Sequence, residues 1–182
     1  VLFSIILSIL CTGQILAQTR YIDATNGNDQ NNGLSLQTAW SSLEKINSTK
    51  FNPGDSILFK AGEKWIGALI PQGSGNEGSP IVIDRYGNGS RPEIHGQGEV
   101  KATMYMENQE FWEINNLRIT NFEETEPGNL TRKRGIHIRA TDMGAVRHFH
   151  LFNLEVDSVN SENSSFTSRY YGGIFFEITG SE

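Results

Sequence analysis

The feature that most constrains this chain is an internal repeat. Residues 111–120 lie over residues 148–157 with Asn116 on Asn153, a shift of 37 residues (153 − 116). Trp112, Ile114, Leu117 and Ile119 then fall on Phe149, Leu151, Leu154 and Val156. A second match lays residues 135–139 over 173–177, a shift of 38 (173 − 135). The two shifts nearly agree, so one repeating unit explains both.

Apolar residues in the unit alternate, skip once at Asn116 or Asn153, then alternate again. Alternation marks a strand with one face buried. Asn at the skip tolerates the left-handed conformation of a sharp corner. Strand, one-residue corner and strand, repeated with a period in the solenoid range, predict the coil of a parallel β-helix. The competing reading is a β-sandwich with a chance similarity. Hairpin signals such as Asn-Gly between alternating runs are scarce in the repeat region, which favours the solenoid.

The chain has 182 residues and a net charge of −6, so it has room for one domain or part of a larger one. An acidic chain excludes a nucleic-acid binder that relies on general phosphate attraction. Gly, at 19 residues, suits turns. The start, Val1 through Cys11, is an apolar run, followed by a polar stretch with small residues ending at Ala17-Gln18. This reads as the h-region and cleavage region of an export signal, residues 1–17, with its start missing. The run is too short to span a membrane, and Leu10 before Cys11 disfavours a lipid anchor. Cys11 is the only cysteine, so the exported protein has no disulfide. A secreted, periplasmic or cell-surface monomer is expected. The apolar run 171–179 ends three residues before the terminus and would leave an open strand edge there. Residues 18–182 are therefore read as the first part of a longer domain.

Residues 24–33 form a loop dense in Gly, Asn and Asp. Thr38 is expected to cap a short helix over 38–46, with Ala39, Trp40, Leu43 and Ile46 at helical spacing. Residues 52–55 read as a turn, and 56–60, 66–70 and 80–83 as strands.

These residues carry a family resemblance. Tyr21-Ile22-Asp23, the 26–29 loop, Asn32-Gly33-Leu34-Ser35 and Ala39-Trp40 with Leu43 look like the start of the secreted right-handed parallel β-helix proteins of the pectate-lyase-like superfamily. Residues 51–57, 59–62, Trp65, Gly75, 78–81 and 86–89 with Arg91-Pro92 continue the likeness, which covers most of 21–122. The resemblance implies an all-β, right-handed parallel β-helix whose short N-terminal helix plugs the first coil. Members include polysaccharide lyases, glycoside hydrolases, epimerases and surface proteins. Active sites there commonly lie on middle coils, so this stretch alone is expected to be inactive.

The inside of such a solenoid is packed, so chemistry belongs to outward residues and loops. Two long loops, 123–133 and 160–171, both precede a strand that begins with Gly-Ile and should leave the coil at one corner. With Ile136 and Ile138 facing in, His137 and Arg139 face out. Stacking should set Arg139 on Glu177, Glu113 on His150 and Arg118 on Glu155. A lyase needs a cation or Ca²⁺ to neutralise a uronate and a base to take the adjacent proton. Lys133, His137 and Arg139 are the catalytic candidates for that chemistry. Arg134, Arg169, Tyr170 and Tyr171 are the substrate-binding ones. The competing reading is a surface ladder of paired charges. A hydrolase needs two carboxylates roughly 5 to 9.5 Å apart. Glu155, Asp157, Glu177 and Asp142 are candidates, but their spacing selects no pair. The Asp23/Asn26/Asn28/Asp29 loop is a candidate for Ca²⁺, with Asx-turn hydrogen bonding as the alternative, and no residue is assigned to a metal. His95, His148 and His150 lack zinc spacing. The leading expectation is a polysaccharide lyase on an acidic glycan, and the alternatives are a glycoside hydrolase or a non-catalytic glycan-binding solenoid.

Overall fold

The structure is a computed structural model that describes residues 16–122, 133–159 and 172–180. Strands β1 (Thr19–Ile22), β2 (Ser56–Lys60), β4 (Ile81–Tyr86), β7 (Trp112–Asn115) and β10 (Phe149–Phe152) form one sheet. A second holds β3 (Lys64–Ile66), β5 (Glu93–His95), β8 (Arg118–Asn121) and β11 (Glu155–Val159). A third holds β6 (Ala102–Glu107), β9 (Arg134–Thr141) and β12 (Gly172–Thr179). Neighbouring strands in all three are parallel, and from β4 onward the chain visits the sheets in turn. The result is a parallel β-solenoid of about four turns.

The core follows from the alternation. Ile57, Ile83, Ile114 and Leu151 stack in register along the first sheet. Trp65, Ile94, Ile119 and Val156 stack along the second, and Met104, Ile136 and Ile174 along the third. Ile57, Ile83, Ile114, Ile94, Ile119, Met104 and Ile136 are fully buried. Each such side chain contributes roughly 1.5–3 kcal/mol of burial. The register reproduces both repeat shifts: Trp112 pairs with Phe149, and Ile136 with Ile174. Asn116 and Asn153 hold φ of 57° and 51°, the left-handed corner their residue type suggests. They also form a ladder, with Asn153 Nδ2 donating to Asn116 Oδ1 and Asn116 Nδ2 to Asp84 Oδ1, both at 2.6 Å.

Two expected elements differ. No helix runs from Thr38 to Ile46. Instead a 3-10 turn spans Leu36–Thr38, and a single-turn helix α1 spans Leu43–Asn47, capped by Ser42, whose hydroxyl accepts from Lys45 N. The helix cannot start earlier because Trp40 bridges to the strand edge: its N–H donates to Tyr21 O and its carbonyl accepts from Asp23 N. Trp40, Leu43 and Ile46 still join the core. The strand expected over 66–70 is also displaced. β3 ends at Ile66, and Gly67 beyond it takes φ 117°, away from the extended conformation of a regular strand.

Candidate functional site

The outward side chains of the third sheet form two columns. Tyr105, His137 and Phe175 are register partners on successive strands, with ring centroids 5.2 and 5.3 Å apart. Glu107, Arg139 and Glu177 are register partners in the next column. Arg139 Nη1 lies 3.0 Å from Glu107 Oε1, and its Nε lies 4.0 Å from Glu177 Oε2. His137 Nε2 lies 3.0 Å from Glu177 Oε2. Arg134 sits with its guanidinium carbon 4.8 Å from the Phe175 ring centroid, a cation–π contact. Tyr105, His137, Arg139 and Glu177 from these columns, with Arg134, Ile70 and Lys101, line a cleft of about 600 Å³.

The electrostatics of this cleft are internally balanced. Burial, and then the nearby Arg134 charge, pull the His137 pKa below its ordinary value, while the Glu177 hydrogen bond opposes them. The net effect favours the neutral imidazole. Burial raises the Tyr105 phenol, helped by its hydrogen bond to Glu107. Hydrogen bonding to Tyr105, with the Glu107 and Glu177 charges, raises Arg139 further above its already high value.

Arg134, His137 and Arg139 thus meet in one cleft. His137 lies on the outward side as expected, yet it is only 6 % exposed, because Tyr105 and Phe175 flank its ring. Lys133 is fully buried just ahead of β9 and does not line the cleft. Arg169, Tyr170, Tyr171 and both long loops apart from Lys133 lie outside the described residues. Sequence reasoning missed Tyr105, Glu107, Lys101 and Ile70. The alternation of Met104 and Met106 with Tyr105 and Glu107 was the signal available for two of them.

The other expected contacts sort differently. Arg118 grips Asp157 through two bonds of 2.9 Å and reaches Glu93 at 3.2 Å and Glu155 at 3.5 Å. These bonds hold the Asp157 carboxyl at about 2. This is the paired-charge ladder. Glu113 is the register partner of His150, but its carboxylate meets His148 Nε2 at 2.9 Å. In the 23–29 loop, Asp23 Oδ1 accepts from the Thr25 and Asn26 N–H groups and its Oδ2 meets Lys60. Asp29 Oδ1 accepts from the Ser41 and Ser42 N–H groups. Those carboxylates are engaged by backbone donors, and among the described residues no grouping of three His, Cys, Asp or Glu side chains fits a metal ion. Nor is any helix among them long and apolar enough to cross a membrane.

Fold and cleft together define a parallel β-solenoid with a lined cleft over its third sheet, and the comparisons with known proteins find the same fold. The chain is 28 % identical over 130 residues to lacto-N-biosidase of Bifidobacterium longum. It matches the crystal structure of the GH136 lacto-N-biosidase from Eubacterium ramulus (selenomethionine derivative) with a TM-score of 0.74 and 25 % identity, over 91 % of this chain. The native form of that protein matches with a TM-score of 0.72 and 23 % identity over 90 % of this chain, a likeness of fold. This chain spans 8 % of the B. longum protein's length and 31 % of the E. ramulus chain. No known protein-family profile matches it. These relatives carry the name of a glycoside hydrolase and none carries that of a lyase, so they favour the hydrolase alternative over the leading expectation.

Proposed function

We propose that this chain forms the opening coils of an exported β-helix glycoside hydrolase, and that the cleft over β6, β9 and β12 receives a sugar. The observation that carries the reading is the 25 % identity to a GH136 lacto-N-biosidase at a TM-score of 0.74, across nearly the whole chain. The cleft chemistry agrees with it. Arg139, one of the cations lining the cleft, is already bracketed by Glu107 and Glu177 and so is engaged before any uronate arrives. The neutral His137 and the two carboxylates instead offer acceptors and a donor for sugar hydroxyls. Both carboxylates face the Arg139 guanidinium, which suits them to holding sugar hydroxyls. The acid that hydrolysis also requires needs a raised pKa. Among the described carboxylates, every resolved shift is downward.

The test is an assay of the full-length protein on glycans bearing a lacto-N-biose unit and on uronate polymers. Release of new reducing ends without the absorbance of an unsaturated uronate is the expected result. That absorbance on a uronate polymer would sink the hydrolase reading. Replacing Glu177 by Gln is expected to raise KM with a smaller change in kcat, because its role here is binding.

A further inference from the structure

The chain enters the solenoid at Gln18. Its carbonyl accepts from Ser56 N at 2.9 Å, one residue ahead of β1, and its own N–H donates to Asp55 Oδ1 at 2.7 Å. Just upstream, Leu16 and Ala17 are exposed, Leu16 to 75 %. The Ala17–Gln18 peptide bond therefore lies where the ladder of paired strands gives way to an open segment. It is also the bond at which the sequence pattern places the end of an export signal, with a small residue before it.

Asp55 supplies an independent observation. It is only 5 % exposed. Among the described residues its oxygens meet backbone N–H groups alone, Oδ1 that of Gln18 and Oδ2 that of Asn52 at 2.8 Å. A buried carboxylate is ordinarily paired with a cation. Asp23 has Lys60 at 2.8 Å and Glu93 has Arg118 at 3.2 Å, whereas Asp55 has no such partner among the described residues. Hydrolysis of the Ala17–Gln18 bond would provide one. Water gives its hydroxyl to the Ala17 carbonyl carbon and a hydrogen to the Gln18 nitrogen, which takes a further proton at neutral pH. One neutral N–H donor becomes an ammonium with three, already at the distance of a charge-assisted hydrogen bond. The Gln18 side chain is held as well, because Arg20 Nη2 donates to its Oε1. An N-terminal Gln is lost by cyclisation when its neutral amine attacks its own Cδ and expels ammonia. An amine kept protonated by Asp55 and an amide oxygen held by Arg20 both oppose that attack.

We propose that the chain is processed between Ala17 and Gln18, and that Asp55 is the receptor for the new α-ammonium, which fastens β1 to β2. This rests on the export part of the functional reading and is independent of any glycan in the cleft.

The first experiment exports the full-length protein from a bacterial host and reads the product by intact mass and N-terminal sequencing. The expected end is Gln18 with its side-chain amide intact. An uncleaved leader, an end at another residue or a mass short by one ammonia overturns the proposal. The second compares protein starting at Gln18 with protein starting at Ala17, each with Asp55 and with Asp55→Asn. The readout is hydrogen exchange in the peptide that carries the Ser56 N–H, the donor to Gln18 O. With Asp55 in place, the extra residue is expected to speed exchange roughly three- to fivefold. In Asp55→Asn the two forms are expected to exchange alike. No effect of the extra residue beside Asp55 overturns the ammonium site, as does an effect that persists unchanged in Asp55→Asn. Glycan turnover by an exported protein that starts elsewhere sinks this proposal and leaves the hydrolase reading standing. A Gln18 end on a protein that turns over no glycan does the reverse.

Discussion

Replacing Asn116 tests the corner on which the coil repeat turns. Its φ of 57° is a conformation that Val strongly resists and Gly accepts. Its side chain carries two bonds of 2.6 Å, one to the Asp84 carboxylate and one from Asn153. A neutral bond contributes about 0.5–1.5 kcal/mol and one to a charged group somewhat more. Asn116 is only half-buried, so about 2 kcal/mol for the pair is a fair sum. Asn116→Gly loses those bonds and keeps the backbone, so it should cost about 2 kcal/mol, plus up to about 1 for the extra freedom of unfolded Gly. Asn116→Val loses the same bonds and adds about 1–2 kcal/mol or more of left-handed strain. Val should therefore be worse than Gly by about 1 kcal/mol. Urea unfolding followed by circular dichroism measures both. If Val and Gly are indistinguishable, the corner is not held by backbone conformation. If both cost less than about 0.5 kcal/mol, the asparagine ladder contributes nothing, and the reasoning fails.

Two pH-dependent effects follow from the charged groups. Asp157 has its folded pKa depressed to about 2 by Arg118, so its stabilisation is present above the ordinary value of 3.8 and lost as pH falls toward 2. The side chain is about a third exposed, so Asp157→Asn should cost about 1 kcal/mol at pH 7 and converge with the parent near pH 2, read from urea midpoints across that range. His137 runs the other way from a stabilising ion pair. Its folded pKa is depressed by burial, so the unfolded chain binds the extra proton and stability falls as pH drops below 6.5. His137→Gln should remove that part of the slope, and an unchanged midpoint shift between about pH 7.5 and 5.5 would contradict the burial of a neutral imidazole.

Much of the fold was legible because it is written in local pattern. Trp112, Ile114, Leu117 and Ile119 alternate around Asn116, and the same spacing around Asn153 forces identical positions to stack. Arg139 over Glu177 follows from the same register. The cleft was legible by half. His137 and Arg139 could be found because their coil repeats with a shift of 38. Alternation with Met104 and Met106 could place Tyr105 outward but not beside His137, because the two pair at a shift of 32 (137 − 105), the intervening coil being of another length.

The sequence by itself determined the solenoid, its inward ladders and its left-handed asparagine corners. Each of these depends on side-chain period and backbone preference within a few residues. Tertiary structure alone decided that Lys133 is buried, that Trp40 joins the strand edge and delays the helix to Leu43, and that Glu107 and Glu177 converge on one guanidinium. Those outcomes depend on which coils become neighbours. Coil lengths vary, and burial and charge pairing are set by atoms on adjacent rungs far apart in sequence.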